Sequence, residues 1–263
     1  MPFMAVNGAV AHYRDEGPRS GRAIVFSNSL GTDFRIWDDV AARLGGEFRL
    51  IRYDKRGHGL SELPAGLSTI EDYSADLAAL LDRLAVKRAL IVGVSMGGLI
   101  AQELHRRRPD LVSALALCDT AAKIGADESW STRVEAIKSG GIESIADAIM
   151  TRWFAAAFRE RRSEELRGWR LMLTRADEAG YLAACEALRR ADLRAHCAAI
   201  KVPTLCLVGE EDGSTPPPLV RELSESVTNA RFEIIEGAAH LPNIEKPDVI
   251  ANLIAAHLAS APA

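Results

Sequence analysis

At 263 residues, with 48% hydrophobic and 26% charged residues, the chain is long enough for one α/β domain or a domain with an insert, and needs no disulfide or metal staple to bury a core. A net charge of -4 argues against a nucleic-acid or polyanion partner. Neither a run of about eighteen apolar residues nor a basic-then-apolar leader is visible, and the four cysteines, Cys118, Cys185, Cys197 and Cys206, form no C-x-x-C pair, so a soluble cytoplasmic protein with reduced thiols is expected.

Residues 3 to 15 alternate as a hairpin turned at Asn7-Gly8. Ala23 to Phe26 reads as a short strand running into Ser27-Asn28-Ser29-Leu30-Gly31-Thr32, a loop of small residues able to present backbone N–H groups. A helical segment from Phe34 to Leu44 precedes a strand from Arg49 to Tyr53. His58 follows, between two glycines, and reads as a structural turn residue. Ile70 to Leu84 is an amphipathic helix.

The apolar run from Leu90 then ends in Gly93-Val94-Ser95-Met96-Gly97, and a helical pattern begins at once, reaching Arg108. A G-x-S-x-G placed between strand and helix is a nucleophile elbow. Its glycines keep flanking backbone clear of Cβ atoms at a sharp turn, and Ser95 would project from that turn at the positive end of a helix. Leu111 to Leu117 is a further buried strand, ending near Asp119.

Beyond Ala121 strands vanish. Helical patterns cover Trp130 to Lys138, Ile142 to Phe158, Glu164 to Thr174 and Tyr181 to Arg190, so residues 121–194 are expected to form a helical cap inserted into a core of residues 1–120 and 195–263. The basic clusters at Arg106 to Arg108 and Arg159 to Arg162 are expected on solvated helix faces. The strand from Val202 to Val208 leads into Glu210-Glu211-Asp212, where Asp212 is the preferred histidine-orienting acid and Glu210 and Glu211 are alternatives. After the last strand, Arg231 to Ile235, comes His240 among small residues; the final helix, Val249 to Leu258, carries His257, expected at the surface.

The alternation of short apolar strands with helices implies a mostly parallel sheet covered on both faces, with function collected at the carboxyl ends of the strands. Serine, acid and histidine in that chain order are the signature of the α/β-hydrolase fold. The catalytic expectation is Ser95 as nucleophile, His240 as base and Asp212 as its orienting acid, with the amides of Leu30 and Met96 as the oxyanion hole. Walker, H-E-x-x-H and G-x-G-x-x-G motifs are absent, so no cofactor and no metal is expected.

Ser27 to Thr32 with Trp37-Asp38, Arg52-Tyr53-Asp54, Arg56-Gly57-His58-Gly59, Cys118-Asp119-Thr120-Ala121-Ala122-Lys123-Ile124-Gly125 and Gly237 to Glu245 resemble the 3-oxoadipate enol-lactonase family over nearly the whole chain. Thr174 to Cys185 follows that pattern only loosely. The resemblance implies hydrolysis of an anionic enol-lactone to 3-oxoadipate in the beta-ketoadipate pathway of aromatic degradation. A substrate carboxylate calls for a cation inside the cap, for which Arg133 and Lys123 are the candidates, with Ser29, Trp130 and Trp153 also at the substrate. The competing expectations are another carboxylesterase or carbon–carbon bond hydrolase, and a non-catalytic binding module. A small-molecule substrate is the expected partner, with no nucleic acid and no membrane; a homo-oligomer is left open.

Overall fold

The computed structural model describes residues 2–261. Eight strands, β1 (Phe3–Val6), β2 (Ala9–Glu16), β3 (Ala23–Ser27), β4 (Arg49–Tyr53), β5 (Ala89–Val94), β6 (Val112–Cys118), β7 (Thr204–Gly209) and β8 (Arg231–Ile235), form one sheet in the order β1-β2-β4-β3-β5-β6-β7-β8. Pairing is antiparallel from β1 to β2 and β2 to β4, and parallel from β4 through to β8. The hairpin closes with Val6 opposite Ala9, and Asn7 and Gly8 both adopt positive φ, as a two-residue turn demands.

Every residue of β3 through β7 is buried, which a parallel sheet achieves only with helices over both faces. That cover comes from α1 (Asp38–Leu44), α2 (Ile70–Arg83), α3 (Met96–Arg107) and, near the end, α9 (Pro217–Ser226), α10 (Pro242–Glu245) and α11 (Pro247–Ser260). α2 packs on α3, and α1 on α11. Thr69 and Asp72 close a capping box at the start of α2.

Between β6 and β7 lie only helices: α4 (Asp127–Gly140), α5 (Ala146–Trp153), α6 (Ala156–Arg161), α7 (Ser163–Thr174) and α8 (Glu178–Arg190). The single helix expected over Ile142 to Phe158 is instead a 3-10 turn, α5 and α6, with extended backbone at Phe154 and Ala155. Three bonds to distant residues account for the break: Leu241 N–H donates to the Trp153 carbonyl at 3.1 Å, and the Ala155 and Ala156 amides donate to Glu245 (3.1 Å) and Glu211 (3.4 Å). A second seam joins Gly57 to Gly180 backbone to backbone, where a Cβ on Gly57 would stand 2.6 Å from the Gly180 Cα.

His257 is not at the surface. It is 2% exposed, and its Nε2 lies 3.0 Å from the carbonyl of Leu115 in β6. Arg106 and Arg107 are half-exposed, but both grip the fully buried Glu103 carboxylate rather than facing solvent alone. All four cysteines are buried and unpaired, and among the described residues no helix is long and apolar enough to cross a membrane.

Candidate active site

β3 is where the strand order turns back, with β4 on one side and β5 on the other. Ligands in such sheets settle in the crevice this reversal opens at the strands' carboxyl ends. There Ser27 of β3 pairs with Gly93 of β5, which sets the Ser27 to Thr32 loop beside Ser95. Ser95 adopts φ 57° and ψ -118°, a conformation that strains any residue with a Cβ. Close backbone approach holds it: Ser95 N–H donates to the Cys118 carbonyl at 2.9 Å, and a Cβ on Gly97 would overlap the Ser27 carbonyl. Among the described residues, neither the Leu30 nor the Met96 amide donates to a protein acceptor, so both are free to serve an oxyanion.

His240 and Asp212 arrive from the loops after β8 and β7. His240 Nδ1 lies 2.9 Å from Asp212 Oδ2, which also accepts from the Thr215 hydroxyl at 2.6 Å. Asp212 Oδ1 accepts the amides of Ser214 (2.7 Å) and Thr215 (3.2 Å). Burial pushes the Asp212 carboxyl upward, but His240 and these donors outweigh it and hold the group down at about 2. Glu210 and Glu211, the alternatives, point elsewhere, Glu210 accepting the Gly237 amide at 3.0 Å and Glu211 the Ala156 amide.

A second acid stands behind the pair. Asp119, fully buried at the end of β6 with φ 47°, accepts the Gly209 amide at 2.8 Å through Oδ1. Burial first, and then the adjacent Asp212, hold it well above the usual carboxylate range. Asp119, Asp212 and His240 each offer an atom within 4.8 Å of the others, spacing that could hold a metal ion among the described residues.

Ser95 and His240 share a cavity of about 350 Å³ with Ser29, Leu30, Trp130, Arg133 and Trp153. Lys123 does not reach it. Half-buried, it lies near Asp192, whose carboxylate its charge favours, so the expectation that Lys123 meets the substrate is corrected. Arg152 takes a place on the wall that sequence reading missed, although Ile145, Ala148, Ile149 and Arg152 recur at helical spacing and all line the cavity. Arg133 stacks on Trp130 with 4.8 Å from guanidinium to ring centre, and lies beside the buried Tyr181 hydroxyl. No aspartate or glutamate lines the cavity among the described residues. A larger cleft of about 910 Å³, between the Phe34 region and α7, contains neither Ser95 nor His240 and is no part of this site.

Glu245 ties the helical segment to the histidine loop: its two carboxyl oxygens accept the amides of Ala239 at 2.7 Å and Ala155 at 3.1 Å. Burial dominates the opposing hydrogen bonds and raises this carboxyl to about 7. The folded value thus exceeds the unfolded value of about 4.3. Glu245 therefore contributes stability that is complete below the unfolded value and is lost as pH rises through about 7. Thermal unfolding should show Tm falling between about pH 5 and pH 8, by less in Glu245→Gln than in the wild type; equal slopes would assign the trend to other groups.

A serine on a strand-to-helix elbow, with an acid and a histidine following later strands, defines an α/β-hydrolase site, and the chain belongs to the alpha/beta hydrolase family, which its residues 24–253 match. It is an ester or lactone hydrolase. Among its relatives, 3-oxoadipate enol-lactonase 2 of Acinetobacter baylyi is 34% identical over 245 residues, covering 93% of this chain and 91% of the relative. The crystal structure of the enol-lactonase from Burkholderia xenovorans LB400 matches with a TM-score of 0.95 and 41% identity, over 98% of this chain and 100% of that one. A thermophilic esterase from Thermogutta terrifontis matches with a TM-score of 0.90 and 28% identity, over 97% and 96%.

Proposed function

We propose that the chain opens the ring of 3-oxoadipate enol-lactone to give 3-oxoadipate, a step of the beta-ketoadipate pathway, in the cytoplasm. The observation that carries this reading is the charge of the cavity, which has two arginines, Arg133 and Arg152, on its wall and no carboxylate among its described residues. Such a chamber favours a small anion, and the buried aromatic faces of Trp130 and Trp153 suit a planar ring. The kinship with enol-lactonases supports the same substrate class.

In this reading helices α4 to α8 form a cap over the sheet edge. Ser95 Oγ attacks the ring carbonyl while His240 Nε2 takes its proton and Asp212 stabilises the resulting imidazolium. The Leu30 and Met96 amides hold the oxyanion. Collapse of the tetrahedral adduct breaks the ring C–O bond and expels an enolate, which becomes a ketone on protonation, making the opening nearly irreversible. Water activated by His240 then releases the acyl chain from Ser95.

Turnover of the enol-lactone and of a neutral p-nitrophenyl ester, by wild type, Arg133→Ala and Arg152→Ala, tests the proposal. Each substitution should lower kcat/KM for the lactone about 10- to 100-fold, the size of a lost charge-assisted hydrogen bond, and leave the ester nearly unchanged. Equal losses on both substrates would show that the arginines do not read a carboxylate. Absence of lactone turnover by the wild type would overturn the substrate assignment.

A further inference from the structure

Lys55 is the one lysine among the largest fully buried side chains, 1% exposed, just after β4, and the mechanism above gives it no role. Its ammonium donates to the Ser29 carbonyl at 2.6 Å and lies 3.4 Å from the Thr32 carbonyl. Ser29 C=O already accepts from the Thr32 hydroxyl at 2.8 Å and the Thr32 amide at 3.3 Å, so a third, charged donor is not needed to satisfy it. Burying an amine this completely is unfavourable unless it is hydrogen-bonded and paired. Burial draws Lys55 down to about 7, while Asp54 and Asp33 hold it up.

The Ser29 carbonyl and the Leu30 N–H belong to one peptide group. That group is planar and trans, so its C=O and N–H point in opposite directions. A donor fixed on the oxygen therefore aims the Leu30 N–H away from Lys55, on the side of the cavity that Leu30 lines. It also draws electron density towards the oxygen and makes the N–H a stronger donor. The second amide has the same arrangement. Ser95 C=O, which shares its peptide group with the Met96 N–H, accepts from the Thr120 hydroxyl at 2.7 Å and from the Gly98 amide at 2.9 Å.

We propose that Lys55 and Thr120 are positioning residues that orient and polarise, from behind, the two peptide groups whose N–H groups stabilise the oxyanion. The inference rests on the reading of Leu30 and Met96 as those donors, and it deepens the hydrolytic mechanism without depending on which lactone is the substrate. Because the Lys55 donor acts on the transition state more than on bound substrate, its loss should appear in kcat and not in KM.

The test uses Lys55→Met and Thr120→Val, each of which leaves its carbonyl at least one other donor and so should fold. On a p-nitrophenyl ester, Lys55→Met is expected to lower kcat about 10- to 100-fold, part of the 10²–10³ that loss of a whole oxyanion donor brings. KM should stay within about twofold, and the inhibition constant of a trifluoromethyl ketone, which forms a tetrahedral adduct on serine, should rise by the same factor as kcat falls. Thr120→Val should show the same pattern to a smaller extent, and the two effects should multiply in the double variant. Unchanged kcat in Lys55→Met, or a rise in KM with trifluoromethyl ketone binding intact, would overturn the inference. Wild type that cleaves the ester but not the enol-lactone would sink the substrate assignment alone and leave this test standing.

Discussion

Alanine in place of Ser95 is expected to lower kcat on any ester or lactone by about 10⁶, the size of effect seen when a serine nucleophile is removed from an intact hydrolase site. The fold should not change. Alanine keeps a Cβ at φ 57°, so the strain of the elbow is neither relieved nor increased. The backbone bonds around it, to Cys118, Gly98 and Thr120, involve no Ser95 side-chain atom. Far-UV spectra and Tm should match the wild type while burst-phase acylation by a p-nitrophenyl ester disappears. A loss smaller than about tenfold would show that another group attacks the carbonyl.

Asp212→Asn should be nearly as damaging, with kcat down about 10⁴. Two backbone amides, from Ser214 and Thr215, point at Oδ1 and cannot rotate, so an asparagine must turn its carbonyl oxygen towards them. Its NH2 group then occupies the place of Oδ2, facing His240 Nδ1. A donor there selects the tautomer in which Nδ1 accepts and Nε2 carries the proton, and that imidazole cannot take a proton from Ser95. KM should be little affected, and Ser95 should react slowly with a fluorophosphonate probe. An asparagine variant retaining more than about a tenth of wild-type kcat would mean that Asp119 or another carboxyl orients the histidine.

The nucleophile elbow is readable in the sequence because several local signals agree: a β-branched run, the glycines and an immediate helical period. The hairpin at Asn7-Gly8 and the order of the later strands are legible for similar reasons. What escapes is decided between distant residues. His257 sits in an ordinary helical pattern, and only its bond to Leu115, in a strand laid down 142 residues earlier, makes it internal. Lys123 stands in a motif-rich stretch, yet it is absent from the cavity wall. No proline or glycine announces the interruption at Phe154 and Ala155; partners on the histidine loop impose it. Lys55 and Thr120 carry no sequence signal for the role proposed here, since it comes from which carbonyl each one meets.

The glycine seam between residues 57 and 180 constrains how this enzyme can diversify. Where two bare main chains touch, there is no side chain to shorten or enlarge, and any addition pries the helices away from the sheet. New substrates are therefore accommodated by changing the lining, at Arg133, Arg152 or Ile149, and not by loosening the mount. Laboratory selections for altered substrate range should collect replacements on the chamber walls and leave both glycines untouched.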